Sequence, residues 1–306
     1  MPKLSELAHL GKAVKDALSR GAPDIEISSL PKSLDLSPDK VTETVIAINA
    51  NTPNPRQKYV NDALVRHLHA FVREVSLTTD EWMSAIEFLT ITGQTCTSRR
   101  QEFILLSDIF GVSALVDIIN HPKPAGATES TVLGPFFVED SKMGRGVPDC
   151  LIDTWETDHE GYYDTQYDNY EADCRGRLLT DSNGSFAFRA IKPVAYPIPN
   201  DGPVGQLLRS MNRHVFRPAH LHLKLVAEGF DQLITTLYFK GDTFLTSDAV
   251  FGVKSSLIED PVLIDDAKES RKHGFKRPSF LLVERDFVLL TSDEACEERE
   301  RTVQPF

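Results

Sequence analysis

Cysteine, methionine and tryptophan are scarce in this chain, with four, four and two residues among 306. The cysteines, Cys96, Cys150, Cys174 and Cys296, stand far apart and form no C-x-x-C pair. That pattern argues against a disulfide framework and against a metal held by thiolates, and it fits reduced thiols in a cytoplasmic protein. Positive charge is also short, 33 Lys and Arg against 45 Asp and Glu, for a net charge of -12 and an isoelectric point near 5.2. Such a field repels phosphate, so nucleic acid and an anionic membrane surface are excluded as natural partners. No stretch approaches the roughly 20 apolar residues of a membrane span. The opening MPKLSELAHLGKAVKDALSRGAPD has no uninterrupted apolar segment and reads as a short amphipathic helix rather than a secretory signal. Internal repeats and low-complexity tracts are missing too. A small uncharged or weakly acidic ligand is left open.

What is present describes a globular protein, 41% hydrophobic and 25% charged, long enough for one large domain or two modest ones. From about residue 54 to 120 the apolar residues recur at helical spacing. Val60, Leu64, Leu68, Phe71 and Val72 mark one amphipathic helix, and a second follows the capping-box sequence Thr78-Thr79-Asp80-Glu81. A third is expected through RQEFILLSDIFGVSALVDIIN. After HPKPAGATES the pattern changes to short β-branched and aromatic runs punctuated by Gly, Pro, Asp and Asn. Ser182-Asn183-Gly184, between RGRLLT and SFAFRAI, reads as a hairpin turn. Helices first and strands afterwards define an α+β chain. The expected division is a helical domain over residues 1–122 and a mostly antiparallel β-sandwich over residues 123–306.

Arg217-Pro218-Ala219-His220-Leu221-His222 opens an apolar run that reads as a strand. Alternation along a strand points His220 and His222 the same way, so the two can share one metal ion or simply sit on a solvated face. His67 and His69 have the same spacing on a helix, where the rings diverge, and are read as surface residues. Tyrosines crowd the stretch before the histidine pair: Tyr162, Tyr163, Tyr167, Tyr170 and then Tyr196. They are either turn and surface aromatics or phenolate ligands. Phenol ionises at a pKa of about 10, so a phenolate near neutral pH needs a strong Lewis acid, and ferric iron suits that role.

The order G-x-Y (Gly161 to Tyr163), P-x-x-Y-x-x-P-x-D-G-P (Pro193 to Pro203) and R-P-A-H-x-H (Arg217 to His222) resembles the intradiol ring-cleavage dioxygenases. Thr131-Val132-Leu133-Gly134-Pro135-Phe136-Phe137 is similar to a further family segment. The resemblance covers roughly residues 54–284. It implies an Fe(III) ion, one per subunit, held by Tyr163, Tyr196, His220 and His222, with Arg217 and Tyr196 in catalytic roles. It also implies a homodimer linked through the N-terminal helices, and it allows a bound lipid at the dimer interface. RQEFILLSD, STVLGPFF and SDAVFGVK are most similar to the subgroup that opens hydroxyquinol (benzene-1,2,4-triol) with O2 to 3-hydroxy-cis,cis-muconate or its tautomer maleylacetate. That similarity places Leu105, Asp108, Val132, Leu133, Gly134, Pro135, Phe136 and Val250 around the ring. Asp108 is either an acceptor for a third hydroxyl or a helix-end cap. Arg217 either stabilises negative charge on the ring or forms a surface salt bridge. Where catechol-cleaving relatives carry a glutamine near the metal, Leu237 is expected, at the loss of a polar contact. The competing readings are a catechol 1,2-dioxygenase, a non-catalytic β-sandwich binding module, and a zinc hydrolase. The last leaves the tyrosines without a purpose.

Overall fold

The computed structural model describes residues 3–6, 11–26, 33–34, 36–131, 150–168 and 171–302. Tyr170 and, of the residues expected around the ring, Val132, Leu133, Gly134, Pro135 and Phe136 lie outside the described residues. The chain forms two compact units, residues 1–84 and 85–305.

The first unit holds helices α1 (Lys12–Ser19), α2 (Val41–Ile48) and α3 (Pro55–Glu74), together with the start of α4 (Thr79–Thr95). Helix α3 begins where Asn54 accepts from the Gln57 N–H at 2.9 Å and Pro55 fills the first turn, which has no use for its missing N–H. Helix α4 opens on a reciprocal box. Thr78 Oγ1 accepts from the Glu81 N–H, and Glu81 Oε2 accepts from the Thr78 N–H. The stripe Val60, Leu64, Leu68, Phe71 and Val72 along α3 remains about half exposed. His67 is exposed, and His69 Nδ1 meets Thr42 Oγ1 at 3.0 Å.

In the second unit the single helix expected after residue 100 is two, α5 (Glu102–Ile109) and α6 (Val112–Asn120). Gly111 sits between them at φ +70°, a left-handed conformation that ends one helix and turns the chain into the next. Arg213 donates to the carbonyls of Ile109 and Ala249, satisfying the end of α5 and tying it to the loop that carries Val250.

The remaining elements are β1 (Cys150–Glu156), β2 (Arg175–Leu179), β3 (Tyr196–Pro197), α7 (Pro203–Ser210), β4 (Phe216–Arg217), β5 (His220–Ala227), β6 (Leu233–Phe239), β7 (Ile258–Glu259), β8 (Val262–Ile264), α8 (Ala267–Lys272), β9 (Phe280–Leu282) and α9 (Ser292–Thr302). One five-stranded sheet runs β2-β1-β5-β6-β7, and only its last pairing is parallel. The other sheets among the described residues, β3-β4 and β8-β9, have two strands each, so the partner layer of a sandwich is not seen there. At the expected hairpin, Asp181 closes a turn by accepting from the N–H groups of Asn183 and Ser185. The arm after it has no assigned strand, although Phe186 packs on the core.

The main sheet has two differently furnished faces. Ile152, Leu223, Leu225, Leu233 and Leu237 form a dry cluster on one face. Burying each of these side chains contributes about 1.5–3 kcal/mol, which fixes the register of β1, β5 and β6. Alternation then delivers Trp155, His220, His222, Thr236 and Tyr238 to the opposite face, and all five are buried.

Candidate metal centre

The central strand β5 carries His220 and His222. In its register His222 lies opposite Trp155 on β1 and Thr236 on β6, and His220 lies opposite Tyr238. The short β3-β4 ribbon pairs Tyr196 with Arg217, so the second tyrosine and the arginine reach the same place from one ladder. Tyr163 arrives on a turn after β1. Gly161 makes that turn possible: its φ is +89°, and a Cβ there would stand 3.3 Å from Tyr196 Cβ. Directly after Tyr163, Asp164 is gripped by Arg175 through two bonds of 2.6 and 2.8 Å. Tyr163, Tyr196 and Trp155 form a buried aromatic cluster.

Four donor atoms converge. His220 Nε2 lies 3.4 Å from Tyr163 Oη, 3.5 Å from Tyr196 Oη and 3.1 Å from His222 Nε2, and the two phenol oxygens are 3.3 Å apart. Donors bound to one ion at about 2 Å each stand at spacings of roughly this size. His220 has a lone pair to give at Nε2. Pro218 O can only accept, so His220 Nδ1, 2.7 Å away, carries the ring proton. Burial first, then the Arg217 charge, holds the His220 pKa well below the ordinary imidazole value. His222 is lowered by burial, His220 and the arginines. Tyr163 is shifted the other way, well above an ordinary phenol, because burial and the neighbouring Tyr196 oppose a phenolate. Two neutral imidazoles and a buried phenol pair suit a hard, highly charged ion, and the donor set therefore fits ferric iron.

Arg217 is the buried cation of the site. Its Nη1 lies 3.1 Å from His220 Nε2 and 3.4 Å from Tyr196 Oη, while Nε and Nη2 reach the two oxygens of Asp248 at 3.1 and 3.3 Å. Asp248 also accepts from the N–H groups of Val250 and Gly252, so one carboxylate holds both the arginine and the loop bearing Val250. Val250 shares a buried apolar cluster with Leu105, and Asp108 lies one turn along α5 from Leu105. Burial raises the Asp108 pKa, against a hydrogen bond from Ser113 and the attraction of Arg217.

Tyr162 is half exposed and packs edge-on against Tyr167, away from the cluster that holds Tyr163. Leu237 belongs to the dry face of the sheet, and a polar partner of His222 stands one residue earlier. Thr236 Oγ1 lies 3.0 Å from His222 Nδ1. Leu237 and Thr236 are neighbours on β6, and on a strand one residue changes the face. Trp155, Thr236 and Asp248 were not singled out as site residues. Only strand register joins the first two to His222, and Asp248 lies 31 residues beyond Arg217.

The family model described as "Dioxygenase" matches residues 130–283, and that described as "Catechol dioxygenase N terminus" matches residues 54–128. The chain belongs to the intradiol ring-cleavage dioxygenases, a family of non-haem iron enzymes. It is 45% identical over 299 residues to the intradiol ring-cleavage dioxygenase hqdA of Aspergillus niger, covering 89% of this chain and 90% of that protein. To the hydroxyquinol 1,2-dioxygenase of a Rhizobium species it is 46% identical over 279 residues, covering 82% and 95%. The crystal structure of a hydroxyquinol 1,2-dioxygenase from Pseudomonas putida matches it with a TM-score of 0.76 at 40% identity, over 83% of this chain and 99% of that one.

Proposed function

We propose that this protein is a hydroxyquinol 1,2-dioxygenase, whose ferric ion, one per subunit, is held by Tyr163, Tyr196, His220 and His222. The observation that carries the reading is the convergence of two phenol oxygens and two imidazole nitrogens around His220 Nε2. The chemistry that the bound ion would supply is Lewis acidity, which would favour ionisation of the diol. Hydroxyquinol and O2 combine to 3-hydroxy-cis,cis-muconate, the tautomer of maleylacetate, with both oxygen atoms retained in the product.

The chain's own groups divide the remaining work. Tyr196 Oη receives a proton from a substrate hydroxyl, and Arg217 Nη1, 3.4 Å from that oxygen, steadies the negative charge that accumulates on the substrate. Leu105 and Val250 form an apolar wall. Asp108 accepts a hydrogen bond from the third hydroxyl, the group that separates hydroxyquinol from catechol. Val132, Leu133, Gly134, Pro135 and Phe136 complete the pocket by resemblance.

The reading extends to a cytoplasmic homodimer, linked through a helical domain over residues 1–122 and carrying the catalytic domain over residues 123–306. The half-exposed stripe of Leu64, Leu68 and Phe71 on α3 supports a partner face. Within the first unit an open groove of about 480 Å³, lined by Val41, Val72, Leu77 and Trp82 among others, is of a size and polarity for a lipid chain.

A visible spectrum of the purified protein tests the centre, with iron quantified and hydroxyquinol then added without oxygen. A broad tyrosinate-to-iron band that moves on addition is expected. A protein that stays colourless after iron reconstitution overturns the ligand assignment and favours a non-catalytic module. Faster turnover of catechol than of hydroxyquinol overturns the substrate assignment alone.

A further inference from the structure

Two buried threonine hydroxyls stand in line behind the Nδ1 edge of the His222 ring. Thr236 Oγ1 is 3.0 Å from His222 Nδ1, and Thr131 Oγ1 is 2.6 Å from Thr236 Oγ1. Thr236 is placed by register, directly opposite His222. Thr131 comes from a separate segment that several bonds pin to the sheet. Its N–H donates to Ile234 O at 2.9 Å, Thr235 Oγ1 donates to Glu129 O at 2.7 Å, and Lys254 Nζ donates to Ser130 O at 2.6 Å.

A hydroxyl has one proton to donate, so Thr236 cannot donate to both neighbours. If it donates to Thr131, it accepts from His222 Nδ1–H, and Nε2 keeps its lone pair. If Thr131 donates to Thr236 and Thr236 to His222, the ring proton sits on Nε2 and blocks that atom as a ligand. His220 has no such freedom, because its Nδ1 faces a carbonyl. We propose that Thr131 and Thr236 form a hydroxyl relay that selects the ligating tautomer of His222, with Thr131 acting only through Thr236. Both are positioning residues for the iron centre described above, and the inference rests on that reading for its functional meaning.

The test uses Thr236→Val, Thr131→Val, the double variant and Thr236→Ser, each compared with wild type by thermal unfolding to show that it folds. Iron affinity, measured by competition with a chelator, should fall 10- to 100-fold in Thr236→Val, the usual effect of removing a partner behind a histidine ligand. The same change of direction, smaller in size, is expected for Thr131→Val. Thr236→Ser should restore near wild-type affinity, and Thr131→Val should add nothing in the Thr236→Val background. Additive effects, or wild-type affinity in a folded Thr236→Val, would overturn the relay.

Nitrogen NMR of histidine-labelled protein supplies a readout independent of turnover. In protein loaded with Ga(III), a diamagnetic trivalent ion, the His222 proton should reside on Nδ1. In metal-free wild type the His222 proton should likewise sit on Nδ1, with a mixture in Thr236→Val, and a wild type protonated on Nε2 would overturn the relay. Identical His222 signals in the metal-free wild type and variant would overturn the relay. A wild-type chain that takes up neither iron nor gallium would instead overturn the proposed centre, with the metal-free comparison still judging the relay by itself.

Discussion

The Trp155 indole and the His222 imidazole lie face to face, with ring centroids 4.8 Å apart and planes 9° from parallel. Their strands pair in register at these two residues, so the stack follows from the β1-β5 ladder. It clamps the imidazole plane from one side while Thr236 holds the ring edge.

Trp155→Phe should therefore keep a flat surface against His222 and retain iron, at a modest stability cost. Trp155→Ala opens a cavity worth about 3–5 kcal/mol and frees the ring to rotate. Denaturant unfolding and iron content after gel filtration distinguish the two variants. Equal iron loss in both would show that bulk, and not the stacked plane, is what matters.

The Arg217 guanidinium is buried, and Asp248 is the carboxylate that meets it with two bonds. Asp248→Asn preserves shape but leaves the arginine charge uncompensated, and breaking one side of a buried pair typically costs about 3–5 kcal/mol. The amide also disturbs the N–H contacts of Val250 and Gly252. A lower urea midpoint and weaker substrate binding are expected together. An unchanged midpoint would mean that Asp248 carries little of the charge balance.

Asp108→Ala separates the two substrates. Hydroxyquinol should lose roughly 5- to 160-fold in kcat/KM, since removing a hydrogen bond to a bound hydroxyl costs on the order of 1–3 kcal/mol. Catechol, without the third hydroxyl, should lose little. Steady-state turnover of both substrates decides the point, and equal losses would reduce Asp108 to a structural residue beside Ser113.

How far the sequence could be read depended on whether a signal was local. Alternation placed His220 and His222 on one face, and the capping box at Thr78 marked the start of α4. The break at Gly111 was missed because apolar spacing continues through it, while the backbone turns at a single left-handed residue. Thr236 was missed for a different reason. Its contact with His222 depends on a neighbouring strand, and Leu237, one residue further on, faces the dry core instead. Trp155 and Asp248 act across strand pairs and loop returns that no spacing within one segment encodes.

Glu156, next to Trp155 in β1, is buried, and its Oε2 has no hydrogen-bond partner among the described residues. Burial, reinforced by the nearby Asp173, pushes its pKa from 4.5 up to about 8. Between those values the folded protein holds a proton that the unfolded chain releases. Stability should therefore fall as pH rises through the window, by up to about 1.4 kcal/mol per pH unit. Above the folded pKa the loss is complete, and below the unfolded pKa it vanishes. Glu156→Gln keeps a neutral side chain at every pH and should flatten this slope. The variant should match wild type near about pH 4.5 and exceed it by a few kcal/mol near about pH 8. Urea midpoints of both proteins across the range provide the measurement. Parallel curves would show that Glu156 is ionised and compensated in the folded protein.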